Sequence, residues 1–181
     1  MEEIRVLIQI EGVVQGVGFR PFIYGIARRY DLKGWVLNDE KGVQIEVEGE
    51  KGGVDGFLSE LSSPPPLALI ERTTVDYLPP VGYEDFEIKG SIGGEERFAL
   101  IPPDIATCND CLEELSDPRD RRFRYPFTNC TNCGPRFTII EDIPYDRDKT
   151  TMASFKMCPL CSREYHDPSN RRFHAQPNAC P

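Results

Sequence analysis

Ile4-Arg5-Val6-Leu7-Ile8-Gln9-Ile10-Glu11 runs straight into Gly12-Val13-Val14-Gln15-Gly16-Val17-Gly18-Phe19-Arg20. In the first stretch Ile4, Val6, Ile8 and Ile10 alternate with Arg5, Leu7, Gln9 and Glu11, the period of a half-buried strand. Beyond Gly18 the apolar residues Phe19, Phe22, Ile23, Ile26, Ala27 and Tyr30 recur at the spacing of one helical face. A strand therefore turns through a glycine-rich loop into an amphipathic helix.

The reading extends outward from this unit. Residues 33–38 form a second strand, Asp39-Glu40-Lys41-Gly42 a hairpin turn, and Val43, Ile45 and Val47 the inner side of a third strand. A second helix carries Val54, Phe57, Leu58 and Leu61 on one face and breaks at Ser62–Pro66. Residues 67–77 are again extended, and residues 83–88 close as a short strand. Trp35, on the second strand, reads as core. The order βαββαβ makes residues 1–90 an α+β, ferredoxin-like sandwich, two helices on one face of a four-stranded antiparallel sheet. A linker at 91–106 leads into a loop-rich region at 107–181.

The glycine loop has chemistry of its own. Gly16 and Gly18 let the backbone curl so that successive N–H groups of Gln15, Gly16, Val17, Gly18, Phe19 and Arg20 point inward, a nest for phosphate at a helix start. Arg20 adds a bidentate cation. The glycines match neither the dinucleotide GxGxxG pattern nor a Walker A loop. Asn38 ends the second strand, close to the loop in this topology. It has no useful basicity but can orient a water by donating and accepting hydrogen bonds. That suits an already activated substrate such as a mixed carboxylic–phosphoric anhydride. The blander readings are a plain turn, a helix-capping arginine and a turn asparagine. Their combination in this topology favours a site.

The second half is ruled by cysteine. Cys108-x2-Cys111 and Cys130-x2-Cys133 are followed by Cys158-x2-Cys161 and Cys180, with the same 18-residue gap. A shift of 50 residues also aligns Glu114 with Glu164, Asp117-Pro118 with Asp167-Pro168, and Arg121-Arg122-Phe123 with Arg171-Arg172-Phe173. Paired CxxC turns converge four thiolates on one tetrahedral ion, so two zinc modules are expected, the second lacking a fourth ligand within these residues. His174 is a conceivable substitute, although its repeat partner is Arg124. His166, aligned with Ser116, reads as solvent-exposed. Phe123, Tyr125, Phe127, Phe137, Ile139 and Ile140 are expected to cluster beside the first metal. The arginine pairs read as partners of nearby acids. Disulfides or buried thiols are the competing reading; all seven cysteines lie after residue 107, and an odd number disfavours a complete disulfide set.

Composition bounds the partners. In 181 residues, 39% are hydrophobic and 28% charged, as in globular proteins generally. The net charge of −9 weighs against binding to nucleic acid, which wants a positive surface. No signal peptide or membrane span is legible, so a cytoplasmic, reducing compartment is expected.

Gly12–Arg20, with Gly34-Trp35-Val36-Leu37-Asn38-Asp39-Glu40-Lys41-Gly42 and residues 43–50, resembles the acylphosphatase family. The resemblance implies that Arg20 binds the phosphoryl group and Asn38 positions the attacking water. An acylphosphatase-like sandwich followed by two such cysteine modules is in turn similar to the N-terminal part of the carbamoyltransferases that mature NiFe hydrogenases. Residues 130–147 and 158–181 are the most specific stretches, and the resemblance covers essentially the whole chain. It implies carbamoyl phosphate as substrate, released carbamate channelled onward, and downstream catalytic domains that use ATP and pass the carbamoyl group to a cysteine of the partner maturation protein HypE. The zinc region then serves as a spacer or lid. A free-standing acylphosphatase with a zinc-binding interaction module is the alternative, separated by whether coding sequence continues past Pro181. A nucleic-acid-binding zinc protein is the third reading.

Overall fold

The computed structural model describes residues 2–91, 100 and 103–181. The first half runs β1 (Glu3–Val13), α1 (Phe19–Arg29), β2 (Lys33–Asn38), β3 (Gly42–Glu50), α2 (Lys51–Glu60), β4 (Leu69–Leu78) and β5 (Phe86–Ile88). The sheet order is β4-β1-β3-β2-β5. β1 lies antiparallel between β3 and β4, with Ile8 opposite both Ile45 and Val75, and β2 lies antiparallel to β3. The alternation seen in the sequence is the alternation of burial: Val6, Ile8 and Ile10 have no exposed surface, and Val36, Ile45, Ile23, Ile26 and Phe57 join them in one core. Each such aliphatic contributes about 1.5–3 kcal/mol.

The expected sheet needs one addition. β5 pairs parallel to β2, with Gly34 opposite Phe86. The Gly34 N–H donates to Asp85 O at 2.9 Å and the Lys89 N–H to Val36 O at 2.9 Å. This satisfies polar groups that the edge of β2 would otherwise present to solvent. A strand of three residues is too short to show a period. Trp35 is a second correction. Val36 faces the helices, so its neighbour Trp35 must face the other side of the sheet. There it is half-buried, donating from Nε1 to the Tyr83 hydroxyl at 3.2 Å, with Lys89 Nζ 4.7 Å from its ring centre.

Of the expected linker, residues 92–99 and 101–102 lie outside the described residues. Its last part docks on the second half: Asp104 Oδ1 accepts from the Phe137 N–H at 2.6 Å and Ile105 O from Arg136 Nη1 at 3.0 Å. The second half holds two short helices, α3 (Asn109–Ser116) and α4 (Pro159–His166), with single 3-10 turns between them. Among the described residues the expected apolar cluster is reduced to a contact between Tyr125 and Phe127. Phe127 and Phe137 are exposed, and the packed residues around the first site are Cys108, Cys111, Cys130 and Cys133 themselves. Tyr125 meets Phe127 edge-on at 5.8 Å, and Phe127 meets Phe155 at 5.4 Å. Segments this rich in turns have no continuous apolar face to bury, so sulfur and arginine take that role.

Candidate functional site

The loop between β1 and α1 is curled by two left-handed residues, Gly16 (φ 72°) and Gly18 (φ 77°), conformations that glycine adopts without penalty. Gly18 opens α1 with no side chain capping the first helical turn. Val17 and Phe19 sink their side chains into the core, leaving only their backbone to face a ligand. Gln15 is fully buried and fixes the loop in three directions. Its Nε2 donates to Asp39 O at 2.8 Å and Gly42 O at 3.0 Å, and its Oε1 accepts from the Tyr145 N–H at 3.1 Å. The loop is thus tied to the residue that follows Asn38. Asp39 in turn holds the hairpin by accepting from the Lys41 and Gly42 N–H groups.

Two side chains at this site are buried with unpaired polar atoms. Asn38 is 1% exposed, and neither its Nδ2 nor its Oδ1 has a partner. Arg20 is 6% exposed, and its Nη1 has none. Its Nη2 lies 3.7 Å from Asp146 Oδ1, an ion pair beyond hydrogen-bond length. Burial lowers the Arg20 pKa and Asp146 works the other way; the guanidinium stays charged. Unpaired buried polar groups cost about 1–3 kcal/mol each. Their concentration here marks a place built to receive something polar.

The second half covers this loop. A Cβ on Gly16 would fall 2.8 Å from Pro135 and from the Tyr145 ring, and one on Gly18 3.2 Å from Thr131. Beside Arg20 opens a cavity of about 450 Å³, walled by Gly90, Ser91, Asp146, Arg147, Asp148, Ala153, Tyr165 and His174. Asn38 is not in its wall and meets the loop through Asp39 instead. His174 is therefore not where a zinc ligand would be. Its φ of 48° lays the ring flat on Tyr165, with centroids 4.9 Å apart, and the second sulfur group consists of cysteines alone. Burial, then the charge of Arg20, pushes the His174 pKa down to about 3. Burial pushes Tyr165 up to about 12. His166 is exposed, as expected, with Nδ1 2.8 Å from Ser162 O.

The cysteines form two groups, Cys108, Cys111, Cys130 and Cys133, and Cys158, Cys161 and Cys180, each with its sulfurs within 4.8 Å of one another. Cys108 and Cys130 are 3.6 Å apart, Cys130 and Cys133 3.9 Å, and Cys158 and Cys180 3.6 Å. Four sulfurs about 2.3 Å from a central zinc would be separated by about 3.8 Å along each tetrahedral edge. A disulfide would need about 2.05 Å, and all seven thiols are free. The donor set fits a thiolate-bound metal.

The arginine pairs cross between the repeats. Arg121 and Arg122, of the first repeat, reach Glu164 of the second at 2.6 and 2.5 Å, and Arg121 Nη1 lies 2.9 Å from Cys161 Sγ. Arg171 and Arg172, of the second, reach Glu114 of the first, and Arg171 Nη1 lies 3.0 Å from Cys111 Sγ. Burial would raise the pKa of either glutamate, but the two guanidiniums prevail and hold both below the usual range. A metal held by thiolates alone would carry excess negative charge, and the cations that face each sulfur group come from the other repeat. The sequence pointed to nearby acids; the acids are near only in space. The cavity walls at Asp146, Tyr165 and His174 went unread as well, as did Tyr145 beside the loop. A usable signal existed: under the 50-residue shift, Tyr165, His174 and Gln176 face Leu115, Arg124 and Pro126.

Comparison with known proteins agrees with this anatomy. The acylphosphatase family matches residues 6–88 and the HypF finger family residues 107–140 and 157–181. A carbamoyltransferase HypF from Rhodobacter capsulatus is 50% identical over 96% of the chain, which spans 23% of that relative. An acylphosphatase from Thermotoga petrophila is 43% identical over 45% of the chain and 92% of its own length. A crystal structure of full-length HypF in a phosphate- and nucleotide-bound form superposes with a TM-score of 0.91 at 55% identity, over 99% of this chain and 24% of that one. The chain spans about a fifth to a quarter of the length of the HypF proteins it matches. Among the described residues no helix is long and apolar enough to cross a membrane. With an acylphosphatase domain joined to paired HypF fingers, the chain belongs to the HypF carbamoyltransferase family, whose amino-terminal region it matches.

Proposed function

We propose that this chain hydrolyses carbamoyl phosphate to carbamate and phosphate. The nest Gln15–Arg20 cradles the phosphoryl group, Arg20 neutralises its charge, and Asn38 aims the water. The observation that supports this most directly is the set of buried, unpartnered atoms on Arg20 and Asn38 beside a loop held open by two left-handed glycines. The water oxygen bonds to phosphorus as the bridging P–O bond breaks, its electron pair leaving with the carbamate. Carbamate is a stable enough anion to leave without a general acid. The water's proton ends on the phosphate, so no protein base is required, in keeping with a carboxamide in that position. Fixed donors aimed at the phosphoryl oxygens supply the stabilisation.

The fingers bind zinc, one ion to Cys108, Cys111, Cys130 and Cys133, and a second through Cys158, Cys161 and Cys180. These residues seat the second half against the loop through Gln15 and Tyr145. In the longer proteins of this family the released carbamate passes to further catalytic domains that use ATP, and on to HypE, for the cyanide ligands of NiFe hydrogenase. The test is phosphate release from carbamoyl phosphate by the zinc-loaded chain. Arg20→Ala should lower kcat/KM roughly 10³-fold, and Asn38→Ala should lower kcat more than it raises KM. Turnover at the wild-type rate in a folded Arg20→Ala protein would remove the site assignment.

A further inference from the structure

Three of the residues that line the cavity beside Arg20 carry a buried polar atom without a hydrogen-bond partner: Arg20 Nη1, Ser91 Oγ and His174 Nδ1. Arg20 comes from the acylphosphatase half and His174 from the second finger. Asp146, from the segment between the fingers, completes the same wall at 3.7 Å from Arg20. In the first finger the position equivalent to His174 is Arg124, with the same left-handed backbone (φ 58° against 48°) but exposed to solvent. The backbone conformation therefore belongs to the repeat, while the imidazole belongs to the cavity. His174 is held against Tyr165 by stacking, and Tyr165 is itself fixed by its hydroxyl donating to Gln176 Oε1 at 2.6 Å. The ring is rigidly presented, and beside the cation of Arg20 it stays neutral, leaving one nitrogen able to accept.

We propose, resting on the hydrolase reading above, that the finger region sets the acyl-group selectivity of the acylphosphatase site. His174 Nδ1 and the Asp146 carboxylate accept hydrogen bonds from the amino group of the carbamoyl moiety while Arg20 holds the phosphoryl end. A carbamoyl group offers two N–H donors where an acetyl group of nearly the same size offers a methyl. A pocket that hydrogen-bonds its substrate rejects the analogue lacking those donors, because its own buried acceptors are then left unpaired. His174 and Asp146 are thus specificity-determining residues lent by a metal-built module to a catalytic loop in another domain.

The experiment measures phosphate release from carbamoyl phosphate and from acetyl phosphate side by side. It uses the zinc-loaded chain, His174→Phe, which keeps a ring to stack on Tyr165, and Asp146→Asn, with zinc content and circular dichroism as checks of folding. The wild-type chain should favour carbamoyl phosphate. His174→Phe should lower the ratio of the two kcat/KM values about tenfold or more, chiefly through the KM for carbamoyl phosphate. Asp146→Asn should move the ratio in the same direction. An unchanged ratio in folded His174→Phe, or in Asp146→Asn should the first lose its zinc, overturns the assignment. A wild-type chain that releases phosphate from neither compound overturns the hydrolase reading, and this inference with it. An active chain with an unmoved ratio overturns this inference alone.

Discussion

Compared position by position at a shift of 50 residues, the two fingers share their turns from residues 108 to 128 and 158 to 178 and differ in what they show their neighbours. Cys108 and Cys158 both open a helix by accepting from the residue four later, at 2.9 Å in each. Asp117 and Asp167 close those helices and accept from the N–H two residues on, at 3.0 and 2.9 Å. Phe123 and Phe173 donate to residues 120 and 170 in the same way. The arginine pairs match too, each gripping the glutamate and a thiol of the opposite finger. What differs is the residues at the positions that, in the second finger, line the cavity with Arg20 or support it: Tyr165, His174 and Gln176 against Leu115, Arg124 and Pro126. The requirements of the metal and of the crossing arginines pin one set of residues. The surface left over is free to meet the acylphosphatase half, where the first finger sets Thr131 beside Gly18 and the second sets Tyr165 and His174 in the cavity beside Arg20.

Removing the metal should break this pair most severely. Structural zinc in small fingers supplies about 10–16 kcal/mol of folding free energy, and beyond the cysteines each finger buries only a few apolar residues, Tyr125 in the first and Tyr165, Phe173, Ala175 and Ala179 in the second. A chelator should therefore strip hydrogen-exchange protection from residues 108–180 while β1 and β3, packed in their own core, stay protected. Fingers that remain protected with no metal by analysis would show that the thiols pack as ordinary core.

The crossed arginines come next in size. Arg121→Ala lies in the first finger, yet it should weaken metal binding at Cys158, Cys161 and Cys180 by roughly 10- to 100-fold, the usual cost of losing a partner of a metal ligand. Arg171→Ala should do the same to Cys108–Cys133. Competition with a chromophoric chelator resolves the two sites. If each substitution weakened its own finger instead, the two metals would be independent and the exchange of arginines incidental.

How much of this was legible beforehand follows from the range of the interactions. Strand β1, the loop and α1 show in the sequence because alternation and helical spacing are local, and the cysteines show because paired CxxC turns have the spacing of a thiolate metal site. Arg20 and Asn38 carry a resemblance. The parallel pairing of β5 does not show, since three residues hold no period. Nor does the crossing of Arg121 to Glu164 or the meeting of Gln15 with Tyr145, 130 residues apart, because long-range contacts leave no local pattern. His174 stayed open for a related reason: its residue type suggests a metal while its repeat partner Arg124 argues against one, and the second sulfur group is made of cysteines alone.

A smaller perturbation tests whether the glycine loop depends on its seat. Gly16→Ala requires a φ of 72° and places a methyl against Pro135 and Tyr145. It should cost about 1–3 kcal/mol by denaturant unfolding, and because the clash is with the second half, its cost should shrink once the metal has been removed. The same penalty with and without metal would put the strain wholly inside the loop.

The smallest effect is expected where the comparison is sharpest. Arg124→His gives the first finger the residue that the second uses in its cavity, on the same left-handed backbone. Arg124 is exposed and lies over the Phe123 ring at 5.3 Å, so the substitution should change stability by no more than about 0.5 kcal/mol. Phosphate release from carbamoyl and acetyl phosphates should be unaffected, because an imidazole there faces solvent rather than Arg20. If this change altered the ratio of the two substrates, the contribution of His174 would come from the finger's charge or flexibility in general. If the ratio holds while His174→Phe moves it, location alone separates two residues that the repeat treats as equivalents.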